Sequence, residues 1–168
     1  MKTIRHACLT LALTVASGFL CASAAPLGDA EFVRRAALSD MFETESSELA
    51  AIKGDAATRE FAVKMNEGHQ KTSSELGVLV KDKATDLPLP ARLDADLQRK
   101  VDRLSGLDGT AFTSEYANDQ VAAHEEAIRL FTDFASSGSA SPLRSWAEKT
   151  LPKLKEHLQD ARSLMKSP

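Results

Sequence analysis

Beyond its first two dozen residues the 168-residue chain has no cysteine, for Cys8 and Cys21 both stand near the start. Disulfides, thiolate metal ligands and a cysteine nucleophile are thereby excluded from the rest. Glycine is sparse there and β-branched residues are few. No stretch alternates apolar and polar residues for long, which argues against sheet structure. There is no Gly-rich phosphate loop, and no Ser, His and Asp grouping with catalytic spacing. Basic residues are not in excess either: Lys and Arg number 21 against 24 Asp and Glu. That argues against nucleic acid as a partner, which demands a basic face. A second apolar run of membrane length is also lacking.

The first 24 residues differ from all that follows. "MKTIRH" is a short basic start. "ACLTLALTVASGFL" is an apolar run too short to span a bilayer comfortably, and "ASA" at 22–24 puts small residues before a cut. Residues 1–24 read as a secretory signal cleaved between Ala24 and Ala25, giving a periplasmic or secreted protein. Lipidation at Cys21 would need a small residue where Leu20 stands. Cleavage leaves residues 25–168 as a single domain with no stable membrane insertion. Losing Lys2 and Arg5 leaves 19 basic against 24 acidic residues, a net charge of −5. Without disulfides, stability must come from an apolar core. No protein partner is indicated, and a homo-oligomer is compatible with the sequence.

Ala, Leu, Glu, Lys and Arg dominate, an all-α composition. A first helix runs from an N-cap at about Asp29 to Lys53, where Gly54 suits a C′ residue and Asp55 the next N-cap. The second runs to about Asp82 with Phe61, Ala62, Met65, His69, Thr72, Leu76 and Leu79 on one stripe. Pro88 and Pro90 forbid its continuation. A short amphipathic helix carries Leu93, Leu97, Val101 and Leu104. The third long helix spans about Thr110 to Ser136, with Ala117, Val121, His124, Ala127, Ile128 and Phe131 on one face. The fourth starts with Ser141-Pro142, an N-cap followed by proline at the first helical position, and runs to about Lys166. Helices of about 25 residues are each about 37 Å long. Their connections are short, long and short. The pattern predicts a ferritin-like four-helix bundle: two antiparallel hairpins joined by a crossover that carries the short extra helix.

After the leader there are three histidines, one on each of three long helices, and each on the apolar stripe. His69 lies 14 residues past Asp55, His124 14 past Thr110 and His157 16 past Ser141. Antiparallel helices of equal length meet at their midpoints, so the three imidazoles should share one layer. The first helix offers Glu43 or Glu45 at that height. These point about 200° apart, so one alone can face inward. Leu38, Met41, Phe42, Leu49 and Ile52 surround Glu45, whereas Glu43 shares a line with Phe32, Ala36 and Ala50. Asp160 follows His157 by three residues on the same face and is a further candidate ligand or supporting group.

Three imidazoles and a carboxylate suit one divalent transition metal ion, such as Zn, Fe, Mn or Cu. A di-iron carboxylate centre is argued against, since Glu-x-x-His is absent: Asn66, Val121 and Leu154 stand three residues before the histidines. "HEE" at 124–126 lacks the second histidine of a zincin motif. Two readings follow. In one the protein handles a metal or protects against stress. In the other it is a structural or interaction bundle whose buried histidines only specify packing. An enzyme using one metal as a Lewis acid has the least support, because no substrate pocket is identifiable.

"FVRRAALSDMFETESSELA", "FAVKMNEGHQKTSSEL", "AFTSEYANDQVAAHEEAIRLF" and "WAEKTLPKLKEHL" together cover most of the chain. In Phe32, Ala36, Glu43, Ala50, Phe61, Ala62, Met65, His69, Tyr116, His124, Leu151, Pro152 and His157 it resembles an exported bacterial family catalogued as domain of unknown function 4142, similar to ferritin-like bundles. The resemblance implies a helical, ferritin-like fold and export, and no established activity. It favours Glu43 over Glu45. One departure stands out: the family usually reads Asp-His where this chain has Gly68-His69. An Asp there would point about 100° away from His69, as a surface or supporting group.

Pro152 interrupts the last helix five residues before His157. An interior proline removes a hydrogen bond and costs about 3 kcal/mol. The helix is expected either to kink there, aiming His157, or to stop near Thr150 and restart.

Overall fold

The computed structural model describes residues 27–82, 87–137 and 141–166. The expected signal segment, residues 1–24, and its expected cleavage after Ala24 lie outside those residues. The described chain is all-helical: α1 (Asp29–Lys53), α2 (Ala56–Asp82), α3 (Ala95–Ser105), α4 (Gly109–Ser136) and α5 (Pro142–Leu164). There is no strand among the described residues, and no helix there is long and apolar enough to cross a membrane.

The helix ends follow local chemistry. Asp55 Oδ1 accepts the backbone N–H of Thr58 at 2.8 Å, and Ser141 Oγ that of Arg144 at 3.1 Å with Pro142 beside it. Two details differ from expectation. The cap of α1 is Gly28, and Asp29 sits in the first turn, where its charge suits the helix dipole. Gly54 ends α1 in extended backbone rather than the left-handed form. Its small size has another reason: a Cβ there would lie 2.6 Å from the carbonyl of Ala50 and from Thr58 Cγ2.

The core falls into two apolar clusters. One gathers Phe32, Ala36, Leu76, Phe131, Phe134, Trp146 and Leu154 with their neighbours. Phe32 stacks on Phe134 with ring centroids 3.8 Å apart. The other gathers Ala50, Phe61, Met65, Leu104, Phe112, Tyr116 and Ala161. Along the chain, α1 and α5 run from the first cluster to the second, and α2 and α4 from the second to the first. Thus α1 is antiparallel to α2, and α4 to α5. The two pairs meet with α1 against α4 and α2 against α5. Because α2 and α4 point the same way, the link between them must return along the molecule. Leu87 packs on the first cluster and Leu104 belongs to the second, which traces that return.

The fourth long helix does not stop at Thr150: α5 continues through Pro152. Pro152 and Glu148 are both on the exposed side. On that side water can replace the helical partner that the Glu148 carbonyl loses to the proline.

Candidate metal centre

Between the two apolar clusters lies one polar layer. Asp40, Glu43, His69, Gln120, His124 and His157 are all buried there. Burying so many polar groups at mid-height costs stability unless each finds a partner. Periodicity put them there: residues 40, 43, 47 and 50 of α1 share its inner face, as do 65, 69, 72 and 76 of α2.

The three imidazoles converge. Ring centroids lie 5.4 Å apart for His69 and His124, 5.3 Å for His69 and His157, and 5.5 Å for His124 and His157. One nitrogen from each ring falls within 4.8 Å of the others. Each histidine is no more than 2% exposed.

Two of the rings have a fixed tautomer. His69 Nδ1 donates to Asp40 Oδ1 at 2.8 Å, and Asp40 also accepts Thr72 Oγ1–H at 2.9 Å. His124 Nδ1 donates to the carbonyl of Gln120 at 2.8 Å. A carbonyl can only accept, so the proton sits on Nδ1. In both neutral rings Nε2 is left with a lone pair, and these two nitrogens are 3.4 Å apart. Two lone pairs at that distance repel unless a cation or proton lies between them.

The same layer holds all the buried side-chain polar atoms that lack a hydrogen bond among the described residues. They are Asp40 Oδ2, both oxygens of Glu43, Gln120 Oε1 and both ring nitrogens of His157. Each such atom typically costs about 1–3 kcal/mol.

The electrostatics separate the three rings. Burial pulls His69 down, but its hydrogen bond to Asp40 and the charges of Glu43 and Asp40 outweigh this and hold it above the ordinary histidine value. Burial lowers His124, and the nearby Glu43 charge does not restore it. Burial, reinforced by the charges of His69 and His124, pushes His157 down to about 3. The neutral imidazole is the form that binds metal.

The first helix chooses Glu43. It is 1% exposed and its Oε1 lies 3.6 Å from His124 Nδ1. It stands beside the trio on the Nδ1 side of that ring. Glu45 instead lines a shallow surface depression with Met41, Thr44 and Gln70. Its carboxyl is raised by partial burial and by Glu48. Of its apolar neighbours Leu38 and Phe42 are buried, but Ile52 is 79% exposed and Met41 is half-buried, so Glu45 itself stays at the surface. Asp160 is not among the converging ligand atoms. It is half-buried, held 2.6 Å from Lys64 Nζ, and its charge acts on His124.

Sequence reasoning did not single out Asp40, Gln120 or Ser46. Asp40 is one helical turn before Glu43, so the spacing was the available signal. Ser46 accepts Gln120 Nε2 at 3.3 Å, and Ser47 pairs with Tyr116 at 3.0 Å. This extends the layer towards the second apolar cluster. Position 68 is also part of the site. A Cβ on Gly68 would lie 2.7 Å from His157 Cε1, so an acid there would meet the His157 ring.

No curated protein and no solved structure matches the chain. The family model described as Domain of unknown function (DUF4142) matches residues 17–164, a span that contains every residue of the polar layer. The chain therefore belongs to the DUF4142 family.

Proposed function

We propose that this protein is an exported, ferritin-like four-helix bundle that holds one divalent transition metal ion in its core. His69 and His124 bind through Nε2, and His157 supplies the third nitrogen. Glu43 provides the anionic partner beside His124. The observation that carries this reading is the 3.4 Å separation of two Nε2 atoms that, in the neutral rings, carry no proton. A metal ion converts that repulsion into two bonds, and it gives His157 a partner as well. Asp40 and Gln120 then fix the rings from behind, as outer groups commonly do for metal-bound histidines.

Three imidazoles and a carboxylate favour zinc, copper, iron or manganese over calcium, which takes oxygen ligands. His69, His124, His157 and Glu43 are all buried. The role that fits is metal handling or protection against stress, with the chain acting as residues 25–168 after export. The −5 charge of that form argues against nucleic acid.

A second reading has its own support. The raised pKa of His69 allows its ring to carry a second proton that bridges to His124. The layer would then be a metal-free packing device. That proton leaves both ring nitrogens of His157 without a partner, whereas a metal ion at the trio binds one of them, which is why we place metal binding first. Zinc added to chelator-stripped protein separates the two. The metal reading expects a higher melting temperature, lost in His124→Ala and His157→Ala. Equal melting with and without zinc overturns it.

A further inference from the structure

Gly68 sits in the middle of α2, where glycine is the poorest choice short of proline. Its backbone is ordinary helix; the positive φ among the described glycines belongs to Gly109. Conformation therefore does not explain it, but space does. A Cβ at position 68 would come 2.7 Å from His157 Cε1 and 3.2 Å from His157 Nε2. The first is closer than real Cβ atoms approach, and the second is tighter than nine in ten of their contacts. Gly77 in the same helix is a contrast, for a Cβ there meets nothing within 4 Å.

We infer that Gly68 is a positioning residue, whose missing side chain forms the seat that holds the His157 imidazole in the trio with His69 and His124. The metal consequence of this rests on the metal reading above; the seat itself does not. His157 makes no hydrogen bond through either nitrogen. Only packing keeps its ring in place, and bare backbone of α2 is the surface it packs on. Any side chain at 68 must push the ring aside. Because the ring gives up no hydrogen bond by turning, the fold tolerates the push while the trio opens.

Two effects of one substitution then carry opposite signs. Gly68→Ala gains helix propensity, so the metal-free protein melts at or above the wild-type temperature. The same change displaces His157 and weakens zinc binding by about ten- to a hundredfold, the usual range for groups that orient a metal ligand. Gly77→Ala gains propensity without either effect on the site.

The experiment compares full-length wild type, Gly68→Ala and Gly77→Ala. The His157 ring proton signals are read by NMR without metal, and zinc affinity is read by titration. The expected result is a shifted His157 signal and weakened zinc binding in Gly68→Ala alone. A double-mutant cycle with His157→Ala should show no further loss from Gly68→Ala, since it acts through that ring. An unmoved His157 signal in Gly68→Ala overturns the proposal. So does a full additional affinity loss in the His157→Ala background. If wild type binds no zinc, the metal reading fails, while the metal-free NMR comparison still decides the seat.

Discussion

His69 Nε2 faces His124 Nε2 across 3.4 Å, and each ring's other nitrogen is committed to an oxygen, Asp40 Oδ1 and the Gln120 carbonyl. The arrangement makes both rings donors of a lone pair to the same point. From it come distinct expectations for substitution.

His124→Ala and His157→Ala each remove one of three nitrogens. Both should abolish the zinc-dependent rise in melting temperature, a rise of about 2.7 kcal/mol in stability for wild type at a hundredfold excess over Kd. Glu43→Gln keeps the nitrogens and removes the charge, so it should weaken zinc without abolishing binding. Calorimetric melts with and without zinc check this. An undiminished zinc effect in either histidine variant contradicts the assignment of that ring.

Asp40→Asn tests the support behind His69. The asparagine amide can donate to Nδ1 and so transfer the ring proton to Nε2, which blocks that nitrogen. Zinc affinity should fall about ten- to a hundredfold. Circular dichroism should remain that of a folded helical protein. Unchanged affinity would mean that Asp40 does not set the tautomer.

Acid should destabilise the metal-free protein. His124 and His157 have folded pKa values below the 6.5 of the free side chain, about 3 for His157. Below pH 6.5 the unfolded chain takes up protons that these folded rings refuse. Their stability contribution is therefore full above that value and falls as pH drops towards 3. His69 is raised and works the other way, being stabilised by protonation. The His69 effect lies above pH 6.5, where the unfolded ring is still neutral, so it offsets nothing below that value. There each ring that stays neutral in the fold costs about 1.4 kcal/mol per pH unit. Melting of chelated protein between pH 7 and about 5 measures this. A flat profile would show that the rings are not buried neutral.

Pro152→Ala should raise stability by about 1 kcal/mol or more, since it restores a helical bond on a solvent-facing turn. The helix already runs unbroken through this point and Pro152 is exposed, so zinc affinity should stay within about twofold of wild type. A large affinity loss would show that the proline aims His157.

Much of this was legible in the sequence, for a physical reason. The stripes on α2, α4 and α5 are regular, so counting from the caps placed His69, His124 and His157 at one depth. Helix α1 was harder because Ile52 is apolar but 79% exposed, while Leu49 packs only at the edge of the second cluster. The spacing within α1 left Glu43 and Glu45 both open; the family resemblance favoured Glu43, which is the buried one. Asp40 was missed because a short acid resembles any surface group until its neighbour across the helix pair is known. The seat at Gly68 depends on how closely α5 approaches α2, which no spacing within one helix reveals.

The most direct test of a metal-binding core is the metal content of protein purified from its native compartment without added metal. The account predicts about one transition metal ion per chain, released by chelator with a fall in melting temperature. Less than about 0.1 ion per chain, with melting unchanged by chelator, would contradict it.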